Sequence, residues 1–150
     1  MPIITQKRYY RSDLQNNPNV IYVFGDNDER DGFGGQAAEA RGEPNALGVR
    51  TKWAPNLKVS AFFNDIDYVR VTKMIQTDLA HMVKYLDEGR IVVLPEDGLG
   101  TGFSELEKRA PRINAYLEGA LELIKRKYAS RSYTSAEVAS ILGSGKLADD

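Results

Sequence analysis

Seven of the 13 glycines fall in two short stretches: Gly25, Gly32, Gly34 and Gly35, then Gly98, Gly100 and Gly102. Each stretch follows a β-branched, apolar run (Val20–Phe24, then Ile91–Leu94) and precedes a helical pattern. A strand, a glycine loop and a helix in that order present backbone N–H groups to a phosphate or carboxylate. Two such units in one small domain can grip a diphosphate from both sides. Taken singly, either loop reads as ordinary tight turns. Taken together they point to a nucleotide-type anion site built from Gly25, Asn27, Gly32, Phe33, Gly34, Gly35 and Gln36, and from Gly98, Leu99, Gly100, Thr101 and Gly102.

Three ionisable residues stand where chemistry on such a ligand would need them. Asp26 and Asp97 directly follow the two apolar runs, and carboxylates at adjacent strand ends suit acid–base work or a hard cation. For Asp26 and Asn27 the position also suits a ribose or a base amine. Lys52, with Arg50 nearby, offers an amine nucleophile or a phosphate partner, against the plainer alternative of a solvated strand edge. Phe33 can cover a base or ribose from its glycine loop, whereas Trp53 suits core packing at least as well. His81, beside an apolar helix stripe, reads as structural or surface.

Much other chemistry is excluded. Cys 0 removes disulfides and thiolate nucleophiles, and His 1 removes a His-triad zinc centre. No metal site and no cofactor are expected. Gly32, Gly34 and Gly35 lack the G-x-G-x-x-G spacing, and no Gly-Lys-Ser/Thr follows the second loop, so neither a dinucleotide fingerprint nor a P-loop is present. Lys+Arg 20 against Asp+Glu 21 gives a net charge of −1, which argues against a strong basic field for nucleic acid. Lys125, Arg126 and Lys127 suit a helix C-terminus. The N-terminus lacks a signal-peptide core and the apolar runs are strand-sized, so no membrane span is expected and the cytoplasm is the default compartment, the host's cytoplasm if a phage encodes the chain.

The elements that must position these residues follow from pattern. Residues 7–19 read as a short opening element and a turn, Val20–Phe24 as a buried strand stopped at Gly25, and Gln36–Arg41 as a short helix ended by Gly42. Val49–Trp53 and Val59–Phe63 read as strands. Val71, Ile75, Leu79, Met82 and Leu86 lay one apolar stripe along a helix over Asp65 to Asp87. Ile91–Leu94, after that helix, reads as a crossover-connected parallel strand. Ser104 with Glu107 makes a capping box for the next helix, which Pro111 kinks or breaks. The order predicts an α/β protein, three-layer α/β/α with a mixed, largely parallel sheet, whose ligand sits at the strands' carboxyl ends. One domain spans 1–128, and 129–150 form a C-terminal extension with a small helix over Thr134 to Leu142 and an acidic end.

Gly25–Asn27 with Gly32 to Ala40 resembles the first ligand loop of macrodomains. Leu94 to Gly102 resembles the Pro-x-x-Gly-x-Gly loop of the macrodomain branch that includes terminal ADP-ribose glycohydrolases. The chain is also similar to a group of small phage and bacterial proteins with a Val-Phe-Gly-x-Asn opening, a Gly-Glu-Pro-Asn-Ala turn (here 42–46) and a Thr-Lys pair. The resemblance covers about 60 residues, 20–55 and 90–113. It implies a macrodomain-like domain that binds, and in some members hydrolyses, ADP-ribose or a related ribonucleotide. It further implies a phage factor acting on nucleotide signalling or ADP-ribosylation. Asp26 and Asn27 would lie near ribose or adenine, with both glycine loops on the diphosphate and distal ribose. The glycohydrolase branch has an acidic residue where this chain has Gly102. A second resemblance is to lysine-decarboxylase-like nucleotide N-glycosidases, matched by Gly98 to Thr101. Their catalytic Glu, however, falls at Ser104, with Glu105 one place late. A third expectation, of another class, is a non-enzymatic protein-interaction module that uses both loops only as turns.

Overall fold

The computed structural model describes residues 2–129. Strand β1 (Ile3–Gln6) leads to helix α1 (Arg11–Asn16), β2 (Ile21–Asn27), α2 (Ala37–Ala40) and β3 (Ala46–Lys52). Short 3-10 turns at Val59–Ala61 and Asp65–Asp67 precede α3 (Tyr68–Asp87) and β4 (Val92–Pro95). After a further 3-10 turn at Gly102–Ser104 come α4 (Leu106–Arg109) and α5 (Pro111–Tyr128). The four strands run in the order β1-β4-β2-β3, and every pairing is parallel. Antiparallel pairing is confined, among the described residues, to an isolated bridge between Lys52 and Phe62.

Alternation along the strands divides the core in two. Ile21, Val23, Val49, Val92 and Leu94 face α3 and α5, where they meet Val71, Ile75, Leu79, Met82 and Leu86, all buried. Tyr22, Phe24, Ile91 and Val93 face the other way, against Leu14 of α1 and Ala37 and Ala40 of α2. Helices on both faces of a parallel sheet make the three-layer α/β/α arrangement. Deleting one of these side chains, Leu86→Ala for instance, costs about 2–5 kcal/mol in transfer and cavity terms.

Several elements depart from the pattern reading. β1 is a strand of its own, its register set by Ile3 on Val92. β2 runs past Gly25 to Asn27, and β3 starts at Ala46. Val59–Phe63 is not a strand. Val59 is 80% exposed, its stretch closes as a 3-10 turn, and only the three residues from Ala61 to Phe63 are buried. The capping box at Ser104 and Glu107 does not form: Ser104 Oγ donates to the Thr101 carbonyl, and Glu105 precedes α4 at φ 46°. Pro111 breaks the helix and sits at the start of α5. The N–H groups of Arg112 and Ile113 there donate to the Asp65 carboxylate, a cap supplied from another element. The helix expected over Thr134 to Leu142 lies outside the described residues.

Candidate functional site

Because all four strands are parallel, their carboxyl ends share one edge, and the two central strands, β4 and β2, end in the two glycine loops. Between the loops lies a cleft of about 530 Å³. Gly25, Asp26, Asn27, Gly32, Gly34, Gly35 and Gln36 line it from the first loop, and Asp97, Gly98, Leu99, Thr101 and Gly102 from the second. Lys52 closes it from the end of β3. Two of the expected residues stand elsewhere. Phe33 is 64% exposed and outside the cleft, and Gly100 is buried behind the loop.

The first loop presents free donors. The N–H groups of Phe33, Gly34, Gly35 and Gln36 donate to no described residue, while that of Gly32 is held by Asp31 Oδ1 at 2.8 Å. In the second loop the N–H groups of Leu99 and Thr101 are also without a described acceptor. Consecutive unpaired amides make a concavity that suits anionic oxygens. The two loops meet at Gly25, where an added Cβ would lie 2.7 Å from the Leu99 carbonyl oxygen. Only glycine allows that approach. Phe103 spans the other end. Its ring would lie 3.6 Å from a Cβ at Gly34 and 3.9 Å from one at Gly35. Phe103, rather than Phe33, is thus the phenylalanine that lines the cleft.

The ionisable residues divide by environment. Asp26 has both oxygens taken up: Arg41 Nη2 donates to Oδ1 at 2.5 Å and Arg30 Nη1 to Oδ2 at 3.2 Å, with the side chain 3% exposed. Its carboxylate is an anchor for two arginines, with both oxygens engaged. Asp97 is exposed at the end of β4 and makes no ion pair among the described residues. Lys52 is 7% exposed, and its ammonium donates to the Asn56 carbonyl at 2.9 Å and the Phe103 carbonyl at 3.5 Å, 4.4 Å from the centre of the Phe62 ring. Burial pulls its pKa below the ordinary lysine value, opposed by the Glu105 carboxylate and assisted by the Arg109 guanidinium.

The structure adds residues that the sequence did not single out. Arg41, at the end of α2, donates through Nε to the Gly32 carbonyl at 2.6 Å and through Nη2 to the Asp31 carbonyl at 3.1 Å. It thus ties the first loop to Asp26. Arg30 continues the chain to Asp78 of α3 at 2.8 Å, and Asp78 also takes the backbone N–H of Arg50 at 2.9 Å and its Nε at 3.0 Å. Lys7 enters the cleft from just beyond β1, and Thr51, Pro55 and Leu57 from around the end of β3. Trp53 is not among the lining residues. It packs edge-on to Phe63 at 4.8 Å, the core alternative. His81 is exposed on α3, outside the cleft.

Fold and site define a class: a three-layer α/β/α protein with a glycine-loop cleft at the carboxyl edge of a parallel sheet. Over residues 4–120 the chain matches a family of unknown function, DUF7831, and it belongs to that family. No curated protein and no solved structure matches it. No helix among the described residues is long and apolar enough to cross a membrane.

Proposed function

We propose that this protein is a macrodomain-like binder of ADP-ribose or a closely related ribonucleotide. The observation that carries the reading is the convergence of two amide-bearing glycine loops, from adjacent parallel strands, on one cleft of about 530 Å³. That volume is of the size that holds a nucleotide-sized ligand. In this reading the amides of residues 33–36 take one phosphate and those of Leu99 and Thr101 the other. Phe103 and Leu57, 63% and 72% exposed, offer apolar surface to a base or ribose.

If bound ligand is turned over, Lys52 and Asp97 carry the chemistry. Lys52 is the amine in the cleft with a depressed pKa, and Asp97 is a carboxylate there that no described cation holds, whereas Asp31, also without an ion pair, has Oδ1 taken by the Gly32 N–H. The N-glycosidase alternative asks for a carboxylate where Ser104 stands. Ser104 is bound to the Thr101 carbonyl, and Glu105 is absent from the cleft lining. That geometry favours the ADP-ribose reading over it. Isothermal calorimetry with ADP-ribose, AMP and NAD tests the proposal, with ADP-ribose expected to bind best. A folded protein that takes up none of the three at millimolar ligand refutes it and leaves the interaction-module reading, which a pull-down insensitive to Gly34→Ala would support.

A further inference from the structure

Away from the cleft, the face around the chain's single tryptophan, Trp53, is basic and aliphatic at once. The turn Val59–Ala61, the entry to α3 with the 3-10 turn before it, and Arg112 at the start of α5 build this face. Contacts fasten them together. The Trp53 N–H donates to the Ala61 carbonyl at 2.8 Å. The Arg70 guanidinium lies 4.8 Å from the centre of the Trp53 ring, and that of Arg112 lies 4.4 Å from the centre of Tyr68. Aliphatic side chains stand out beside Val59: Ile66 is 91% exposed and Val69 67%. Ile66, Val69 and Lys73 follow at steps of three and four, which sets them on one side of the entry to α3.

The charge of the face is one-sided. Lys58, Arg70, Lys73 and Arg112 are exposed and form no ion pair among the described residues. Of the carboxylates in the same segments, Asp65 is taken up by the N–H groups of Arg112 and Ile113, which leaves Asp67. In a chain of net charge −1 this is a local excess of cations. Arg109 shows the same arrangement completed. It lies 3.8 Å from the centre of the Phe62 ring and also binds Glu105 at 3.1 Å. Arg70 and Arg112 have the ring without the carboxylate.

We propose that this face docks a partner polypeptide whose acidic side chains flank aliphatic ones. A guanidinium laid on a ring is already oriented, and its N–H edge is open to a carboxylate in bidentate form. Ile66 and Val69 add the apolar contact that exposed ion pairs alone lack. Other anionic surfaces fit less well. Single-stranded nucleic acid stacks its bases on open rings, whereas guanidiniums lie over Trp53 and Tyr68. A fluid layer of lipid headgroups gains nothing from arginines fixed in orientation. None of these residues lines the glycine-loop cleft, so the docking face stands apart from the nucleotide reading.

Trp53 emission reports directly on this face, because it is the only tryptophan and Arg70 lies over its ring. The whole chain is titrated at low salt with a dodecapeptide of Leu, Ile, Asp and Glu. Matching peptides carry Ser in place of Leu and Ile, or Asn and Gln in place of Asp and Glu. An oligothymidylate and vesicles of phosphatidylserine and phosphatidylcholine complete the set. The acidic aliphatic peptide is expected to change the emission saturably, and either replacement to weaken binding by about tenfold or more. The Ile66→Ser, Lys73→Glu double variant, altered only at exposed positions, is expected to lose binding by a similar factor and to keep the parent's Tm. No response to the acidic aliphatic peptide, or an undiminished one in the double variant, overturns the assignment. Equal binding of the serine peptide overturns the aliphatic contact. Tighter binding of the oligothymidylate or of the vesicles overturns the polypeptide and gives the face to that partner.

Discussion

Arg41 is the residue on which the first glycine loop hangs, and replacing it tests whether the loop is held or merely adjacent. In Arg41→Met three attachments vanish together: the Gly32 carbonyl at 2.6 Å, the Asp31 carbonyl at 3.1 Å and the Asp26 carboxylate at 2.5 Å. A buried carboxylate stripped of its cation costs about 3–5 kcal/mol. Asp26 keeps Arg30 at 3.2 Å and the N–H of Asn27 at 2.8 Å, so about 2 kcal/mol is the better figure for that part. The two loop carbonyls are within reach of water once released, and add about 1 kcal/mol between them. A total near 3 kcal/mol lowers Tm by about 6–12 °C in a chain of this size. Arg41→Lys keeps a cation near Asp26 but cannot fork to both carbonyls, so it costs about 1 kcal/mol of stability. Its larger effect falls on ligand binding, because each 1.4 kcal/mol spent ordering the loop is about a tenfold loss of affinity. Thermal unfolding and ADP-ribose calorimetry on both variants decide the matter. An Arg41→Met protein that melts within about 2 °C of the parent and binds as the parent does would refute the clamp.

Three further outcomes follow from the same geometry. Asn45 Nδ2 donates to the buried carbonyls of Leu14, Asn17 and Val20 at 3.0, 3.1 and 2.9 Å. Asn45→Ala should therefore cost about 2–4 kcal/mol in urea unfolding, and a loss under about 1 kcal/mol would show that water replaces the amide. The folded Lys52 pKa lies below its ordinary 10.5, so between the two values the unfolded chain binds a proton that the native one does not. Stability contributed by this site then rises with pH through that window and is lost as pH falls through the native value. Urea midpoints at about pH 8 and pH 10 should diverge in this direction between the parent and Lys52→Met, and parallel profiles would sink the assignment. Gly25→Ala pushes a methyl to 2.7 Å from the Leu99 oxygen and should cost about 1–3 kcal/mol together with binding. Gly34→Ala meets only the Phe103 ring at 3.6 Å and should fold as the parent does while weakening ligand approach; equal stabilities of the two variants would contradict the close approach.

The sequence made legible those elements whose signal is local. The Val71 to Leu86 stripe, the apolar runs behind both glycine loops and the break at Pro111 all repeat in the structure, because periodicity and proline stereochemistry act within a few residues. β1 was hidden because only Ile3 and Gln6 of its four residues are buried, too short an alternation to stand out. Val59–Phe63 looked like a strand because β-branched and aromatic residues cluster there, yet the chain just after β3 offers Phe62 a single bridge and no ladder. Of the site, the glycines and Lys52 could be read from type and position. Arg41 could not, since its partners Asp26, Asp31 and Gly32 are chosen by how the loop folds back over α2. Phe33 stands inside its own glycine loop, whereas Phe103 lies just past Gly102 and reaches Gly34 and Gly35 only through the tertiary fold.

The Asp26 and Asp78 carboxylates explain why the cleft can be rigid on one side. β3 is an edge strand, and its Arg50 N–H faces away from β2 with no neighbouring strand to receive it. Asp78 of α3 takes that N–H and binds Arg50 and Arg30, while Arg30 and Arg41 meet on Asp26. The edge strand, helix α3 and the first loop are thereby fastened through two carboxylates that are 3% and 2% exposed. The second loop is fastened separately, by Gly100 packing on Asn114 and Leu106 of the helices behind it. Between the glycine loops themselves, contact rests on Gly25 against the Leu99 carbonyl and on the Phe103 ring against Gly34 and Gly35. The first is backbone on backbone at the root of the cleft and acts as a fixed pivot. The second is an exposed side chain at the rim, free to change rotamer at small cost. On the proposed nucleotide reading, ligand entry is therefore governed at Phe103, whereas the spacing of the amides that would face the phosphates is set at Gly25.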